Sequence, residues 1–296
     1  MSLRTQLRGT GVAIITPFKS DYSVDYAALE KVIDFIITNG VEYIVTLGTT
    51  GEAPTISKEE KIKIIEFTYE KVNKRVPVIV GIGGNNTTET IKDLQSYPLN
   101  EAVAVLSVSP YYSKPSQEGL FLHYKALAEA SPKPILLYNV PGRTGRNLSA
   151  ETTLRLAELP NIAGIKEASG DMMQCMQLLK QRPDHFLVSS GDDGLGFPQV
   201  ACGMDGVISV IANCMPGNFS KMVRLALDGK LKEAKAINDS LLGVYELLFA
   251  ENNPAGVKSF LTHQGLIENV LRLPVTPVSD GLHQKTKAFL KDNNLL

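Results

Sequence analysis

The sequence predicts a (β/α)8 TIM barrel with a C-terminal helical extension, and three observations carry that prediction. Eight short apolar runs alternate with longer stretches of helical periodicity. No GxGxxG follows the first run, where an open dinucleotide-binding sheet needs it. The eighth run ends near Asn213 of 296 residues, which leaves a long tail with helical patterning.

The runs begin with VAIITP from Val12, YIVTLG from Tyr43, VIVGIG from Val78 and VAVLSVSP from Val103. ILLYNVP from Ile135, IAGIKE from Ile162, FLVSSGDD from Phe186 and VISVIAN from Val207 complete the set. Each is apolar almost throughout rather than alternating, as parallel strands covered on both faces are. Between them, segments such as 26–38 and 58–73 space their apolar residues as helices do. Ser57 before KEEK and Ser149 before AETT offer N-caps with acidic residues in the first turn. The tail from Pro216, including FSKMVRLALDGKLKEAKAINDSLLGVYELLF, reads as the last barrel helix and an appended helical unit. With no low-complexity linker between them, the expected division is a catalytic barrel at 1–224 and a helical subdomain at 225–296 packed on it.

Composition narrows the function. Hydrophobic residues at 44% and charged residues at 21% fit a globular chain with a sizeable core. A net charge of -1, without basic runs, argues against nucleic acid and anionic membranes as partners. No apolar run approaches a membrane span, and MSLRTQLRGTG lacks the apolar core of a signal peptide. Cys175, Cys202 and Cys214 show no CxxC spacing, and an odd count suits a reducing, cytoplasmic setting. His123, His185, His263 and His283 are scattered, without HxH or HExxH, so no metal is expected.

Barrel active sites sit at the C-terminal ends of the strands. Those ends read GTTGE, GIGGNN, SPYYSKPSQEG, YNVPGRTG, KEASGD, SSGDD and GVISV. Lys166 is the one lysine standing at a strand end in the barrel mouth, with Tyr138 near the end of the neighbouring strand. Lysines at such places more often end a strand and reach to water. Burial in an apolar mouth changes this, because it disfavours the ammonium and frees the amine for Schiff-base chemistry with a ketone. A nearby phenol such as Tyr138 can carry the protons that carbinolamine formation and collapse require. Thr49 and Thr50, between Gly48 and Gly51, offer hydroxyls and close backbone amides to a carboxylate. Arg143 is a planar fork suited to a second carboxylate. Glu167 reads as a charge balance and Asp192-Asp193 as a cap for the next helix.

In order, GTTGE, SPYYSKPSQEG, YNVPGRTG, GIKEASGD and SGDD resemble the dihydrodipicolinate synthase family. That family lies within the pyruvate-dependent class I aldolase superfamily that includes N-acetylneuraminate lyase. The likeness runs from GVAIITPF to LRLPVTPVSDG, nearly end to end. It implies an enzyme without cofactor that condenses pyruvate with L-aspartate 4-semialdehyde to 4-hydroxy-tetrahydrodipicolinate. This is the first committed step of the diaminopimelate and lysine pathway. The resemblance makes Lys166 the imine lysine, Tyr138 the acid/base group, and Thr49 and Tyr112 the rest of the proton relay. It gives Thr50 and the Ile208 backbone to the pyruvate carboxylate, Gly191 to the substrate pocket, and Arg143 to the carboxylate of the second substrate. Two alternatives stay open: a lyase of N-acetylneuraminate or 2-keto-3-deoxy sugar acids, and a non-catalytic keto-acid-binding barrel. Sialic acid lyases usually lack the arginine of YNVPGRTG, which favours the synthase.

The resemblance also implies regulation and assembly. Lysine-inhibited members bind lysine near positions matching Ala53, Pro54, Lys58, Asn85, Glu89 and Tyr111. Lys58 departs by placing a cation where sensitive members often have histidine, so weak inhibition is expected. If SPYYS stays extended, Tyr111 and Tyr112 point opposite ways and cannot share one pocket. By resemblance, Tyr112 reaches into a neighbouring subunit, giving a homo-oligomer that is at least a dimer and, by family analogy, a tetramer.

Overall fold

The computed structural model describes residues 2–293 and Leu295. Its centre is a closed parallel barrel. The strands are β1 (Gly9–Ala13), β2 (Tyr43–Thr46), β3 (Val78–Gly81), β4 (Ala104–Val108), β5 (Ile135–Asn139), β6 (Ile162–Glu167), β7 (Leu187–Ser190) and β8 (Gly206–Ser209). β8 closes on β1 through the Gly11–Ile208 pair. All eight expected runs are strands, but the first begins three residues before Val12 and the last ends at Ser209, short of Asn213. Gly9, Thr10 and Gly11 belong to β1 because they register with β8, which a scan for bulky apolar residues passes over.

Alternation along the strands divides the apolar side chains into two cores. Val12, Ile44, Val80, Val105, Leu137, Val188 and Val207 face outward to the helices. Ala13, Tyr43, Val45, Ile79, Leu106, Leu136, Leu187 and Ile208 fill the barrel interior. Tyr43 has room there only because position 11 is glycine, since a Cβ on Gly11 would sit 2.1 Å from its ring. The interior is therefore a packed core, with chemistry left to the strand ends.

Helix termini obey the local sequence. Ser57 accepts the Glu60 N–H while the Glu60 carboxylate accepts the Ser57 N–H, a reciprocal cap that starts Lys58–Val72. That helix stops where Asn73 turns left-handed at φ 45°. Asp25 caps Tyr26–Thr38 and Ser149 caps Ala150–Ala157 through their side chains. Helix Pro216–Leu227 packs on β1 as the last barrel helix and runs through the expected 224/225 division.

The extension comprises helices Leu231–Phe249, Ala255–His263 and Asp280–Asp292. It is joined to the barrel by a buried ion pair. Lys258 Nζ lies 2.5 Å from Glu52 Oε1, with both side chains almost wholly buried. Lys258 also donates to the Val270 carbonyl at 3.0 Å and stands 4.3 Å above the Phe18 ring. Burial pulls the Lys258 ammonium down to about 8, against the opposing pull of the Glu52 charge. Arg272 adds a two-nitrogen contact to Glu60 and donates its backbone N–H to Glu52 Oε2.

Removing one partner of such a pair strands a buried charge. Lys258→Met is expected to lower unfolding stability by about 3–5 kcal/mol, read from the urea midpoint. Adding Glu52→Gln, which keeps an acceptor for Arg272, should recover most of that loss. An unchanged midpoint in Lys258→Met would contradict this account.

Candidate active site

Strict alternation in β6 would send Lys166 outward, and an irregularity reverses it. Ile162 faces the helices and Ala163 packs on the interior, so Ile165 should face in. Instead the register steps from Ile135–Ile162 to Leu136–Gly164, which adds one residue to β6. Beyond this bulge Ile165 belongs to the outer core, and Lys166 pairs with the inward-facing Tyr138. Gly164 admits the kink because it has no Cβ, which would stand 2.5 Å from the Leu187 carbonyl oxygen.

Lys166 is 4% exposed, and its Nζ stands 4.4 Å from the centroid of the Tyr138 ring. The other wall comes from β7 and its loop. A Cβ on Gly191 would lie 2.8 Å from Lys166 Cε and 3.0 Å from Cγ, so glycine makes room for the lysine stem. The β7–β8 pairs Ser189–Gly206 and Ser190–Val207 bring Gly191 beside Ile208, whose side chain is in the barrel interior. Asp192 caps the next helix as expected, but Asp193 is buried and accepts the Val210 and Ile211 N–H groups at 2.9 and 3.0 Å. Burial raises its carboxyl to about 6, opposed by Ser209, these backbone donors and the Lys166 charge. Asp193 thus shapes the end of β8 rather than a helix cap.

GTTGE forms a tight turn in which Gly51 and Glu52 donate N–H to the Gly48 and Thr49 carbonyls. Among the described residues, no internal hydrogen bond engages the Thr49 or Thr50 N–H. Thr49, Tyr138, Arg143 and Tyr111 line one cavity of about 330 Å³ at the barrel mouth. Thr50 is buried, is not among the residues lining this cavity, and accepts a hydrogen bond from Asn253 Nδ2 at 3.1 Å. Arg143 Nη2 donates to the Asn253 carbonyl at 3.3 Å. Asn253 is a site residue that sequence reasoning missed; it lies in the tail, and no motif marks it.

Glu167 does more than balance charge. Facing outward at zero exposure, it accepts from Asn139 Nδ2, Gln174 Nε2 and the Ser169 N–H. Asn139 and Gln174 in turn hold Asn147, which ties the loop carrying Arg143 to β5 and β6.

The two tyrosines after β4 separate, though not through extension. Tyr112 takes a left-handed φ of 72°, so the segment turns there. Tyr111 lines the cavity, whereas Tyr112 is 89% exposed and lies outside it. Ala53 and Pro54 line the same cavity. Lys58 lies 3.6 Å from Asp93 and over the Tyr97 ring, two residues that line the same cavity, while Asn85 and Glu89 are exposed, the latter 2.7 Å from Lys92. One chain therefore assembles only part of the expected lysine pocket. His263 and His283 are not scattered but stack at 4.0 Å between tail helices. Among the described residues, no three His, Cys, Asp or Glu side chains form a group able to hold a metal.

The Gly191 contact yields a direct expectation. Gly191→Ala should displace the Lys166 stem and cut kcat/KM about a hundredfold, the scale of a misplaced reacting group, without a large change in melting temperature. Full activity in that variant would show that Lys166 does not need this space.

The Dihydrodipicolinate synthetase family model matches residues 6–293. A 4-hydroxy-tetrahydrodipicolinate synthase from Parabacteroides distasonis is 50% identical over 286 residues, covering 96% of either chain. The chloride-inhibited dihydrodipicolinate synthase from Acinetobacter baumannii, solved with pyruvate, superposes with a TM-score of 0.95 at 42% identity over 98% of this chain and all 100% of that one. A monomeric dihydrodipicolinate synthase variant superposes with a TM-score of 0.96 at 40% identity over 99% of each chain. With a closed barrel, a lysine turned into its mouth and likeness over nearly the whole length, the chain belongs to the dihydrodipicolinate synthase family.

Proposed function

We propose that this enzyme condenses pyruvate with L-aspartate 4-semialdehyde to 4-hydroxy-tetrahydrodipicolinate through an imine on Lys166. The observation that carries the reading is the buried Lys166 amine 4.4 Å from the Tyr138 ring, at the strand ends of the barrel. The amine adds to C2 of pyruvate, and the carbinolamine loses one water with protons passed through Tyr138. Thr49 and the exposed Tyr112, from a second chain, complete that relay. The Thr49 and Thr50 amides, the Thr50 hydroxyl and the end of β8 at Ile208 hold the carboxylate.

Loss of a C3 proton gives the enamine, and C3 attacks the aldehyde of the second substrate. Arg143 receives that substrate's carboxylate at the rim of the cavity. Its amine then attacks C2 and displaces Lys166, closing the ring and freeing the enzyme; the net reaction releases one water. The same reading puts the reaction in the cytoplasm, without a cofactor, at the first committed step toward diaminopimelate and lysine. Arg143 at the rim favours an amino-acid aldehyde over a neutral sugar chain as the second substrate.

Pyruvate and borohydride should add one reduced adduct per chain, on Lys166, by intact mass and peptide mapping. Lys166→Arg should abolish it, because a guanidinium stays protonated. Arg143→Ala should keep trapping nearly intact while lowering condensation about tenfold to several-hundredfold, the effect of one or two lost charge-assisted hydrogen bonds. Turnover with an unmodified Lys166, or equal loss of trapping and condensation in Arg143→Ala, would refute the respective role.

A Tyr112 that is 89% exposed and outside its own cavity supports a shared site, in an assembly that is at least a dimer and by family analogy a dimer of dimers. Mixing inactive Lys166→Ala and Tyr112→Phe chains should therefore restore activity in heterodimers. No recovery, with heterodimers confirmed by native mass spectrometry, would return Tyr112 to its own chain.

A further inference from the structure

Asn253 sits between the tail helices Leu231–Phe249 and Ala255–His263, outside every strand-end motif. It is 7% exposed, yet it touches two loops on different sides of the mouth. Its side-chain Nδ2 donates to Thr50 Oγ1 at 3.1 Å, on the loop after β2. Its backbone carbonyl accepts from Arg143 Nη2 at 3.3 Å, on the segment after β5.

We propose that Asn253 is a positioning residue that sets the Thr50 hydroxyl as a hydrogen-bond donor to the pyruvate carboxylate. The inference rests on the reading of Thr50 as a carboxylate-binding group. A threonine hydroxyl has one proton and accepts through its oxygen lone pairs. When the oxygen accepts from an amide N–H, the proton is left free to be given elsewhere. Thr50 is 2% exposed, and its own N–H and that of Thr49 stand uncommitted beside it. A carboxylate arriving there meets three donors, two from the backbone and one whose direction Asn253 fixes. Without Asn253, the hydroxyl can turn its proton to a neighbouring carbonyl and present lone pairs to an anion.

The two contacts of Asn253 are chemically separable. Only the side chain reaches Thr50, while Arg143 is held by the backbone, which a substitution retains. A side-chain variant should therefore weaken pyruvate binding selectively. Asn253→Leu, close in shape but unable to donate, is expected to raise the pyruvate KM about tenfold, the scale of one hydrogen bond to a charged system. The KM for the second substrate should change less than about twofold, since the Arg143 contact survives.

A double-mutant cycle tests the route of action. In a Thr50→Val background no hydroxyl remains to be oriented, so adding Asn253→Leu should leave the pyruvate KM unchanged within about twofold. Equal fold-changes in both backgrounds, or equal rises in both substrates' KM, would overturn the proposal and make Asn253 a packing residue. Asn253→Ala supplies the same cycle with a smaller side chain if the leucine variant does not fold. Borohydride trapping at saturating pyruvate is run alongside and should label Asn253→Leu as fully as the unaltered enzyme. No label on the unaltered enzyme would defeat the imine reading and this inference with it; labelling with additive KM effects defeats this inference alone.

Discussion

The site depends on one extra residue in β6. A parallel strand commits its side chains to alternate faces, so a one-residue slip moves every later side chain across the sheet. The step from Ile135–Ile162 to Leu136–Gly164 is such a slip, taken inside a strand. It turns Ile165 to the helices and Lys166 to the mouth, directly opposite Tyr138. Without it, the Lys166 side chain would face the apolar helix layer. The neighbouring small residues are consequences of that choice, with Gly164 admitting the kink and Gly191 admitting the lysine stem.

A second constraint comes from the tail. The turn GTTGE is short, and among the described residues its internal backbone hydrogen bonds are those of the Gly51 and Glu52 amides. Thr16, after β1, donates to the Gly51 carbonyl at 2.7 Å, and the tail adds Lys258 on Glu52 and Asn253 on Thr50. The extension thus helps to hold this turn. Burying the Lys258–Glu52 pair costs desolvation that an apolar pair would avoid, and its contact holds Glu52 against the helix Ala255–His263. The network around Glu167 does the same on the opposite wall, where it ties the Arg143 segment to the two strands that carry Tyr138 and Lys166.

Much of this is legible in the sequence because strand ends are readable. Eight apolar runs locate the loops, and Lys166, Tyr138, Thr49 and Arg143 emerge from the few residues at the end of each run. The orientation of Lys166 is not legible from pattern, since IAGIK hides a bulge within an ordinary apolar run. Tyr112 does point away from Tyr111, but an extended segment is the wrong geometric reason. A left-handed residue without glycine turns the chain there, and side-chain type gives no warning of it. Asn253 and Lys258 are invisible to motif reading because their partners lie far earlier in the chain, with Asn253 and Thr50 separated by 203 positions. Pairings at that distance exist only once the barrel has closed and the tail has docked.

A crystal structure of the enzyme soaked with pyruvate tests the central claim most directly. Continuous density is expected from Lys166 Nζ to C2 of the three-carbon unit. Its carboxylate should lie on the Thr49 and Thr50 amides and the Thr50 hydroxyl, and its C2 region should face the Tyr138 phenol. Pyruvate found unlinked in the mouth, or joined to a lysine other than Lys166, would contradict the account.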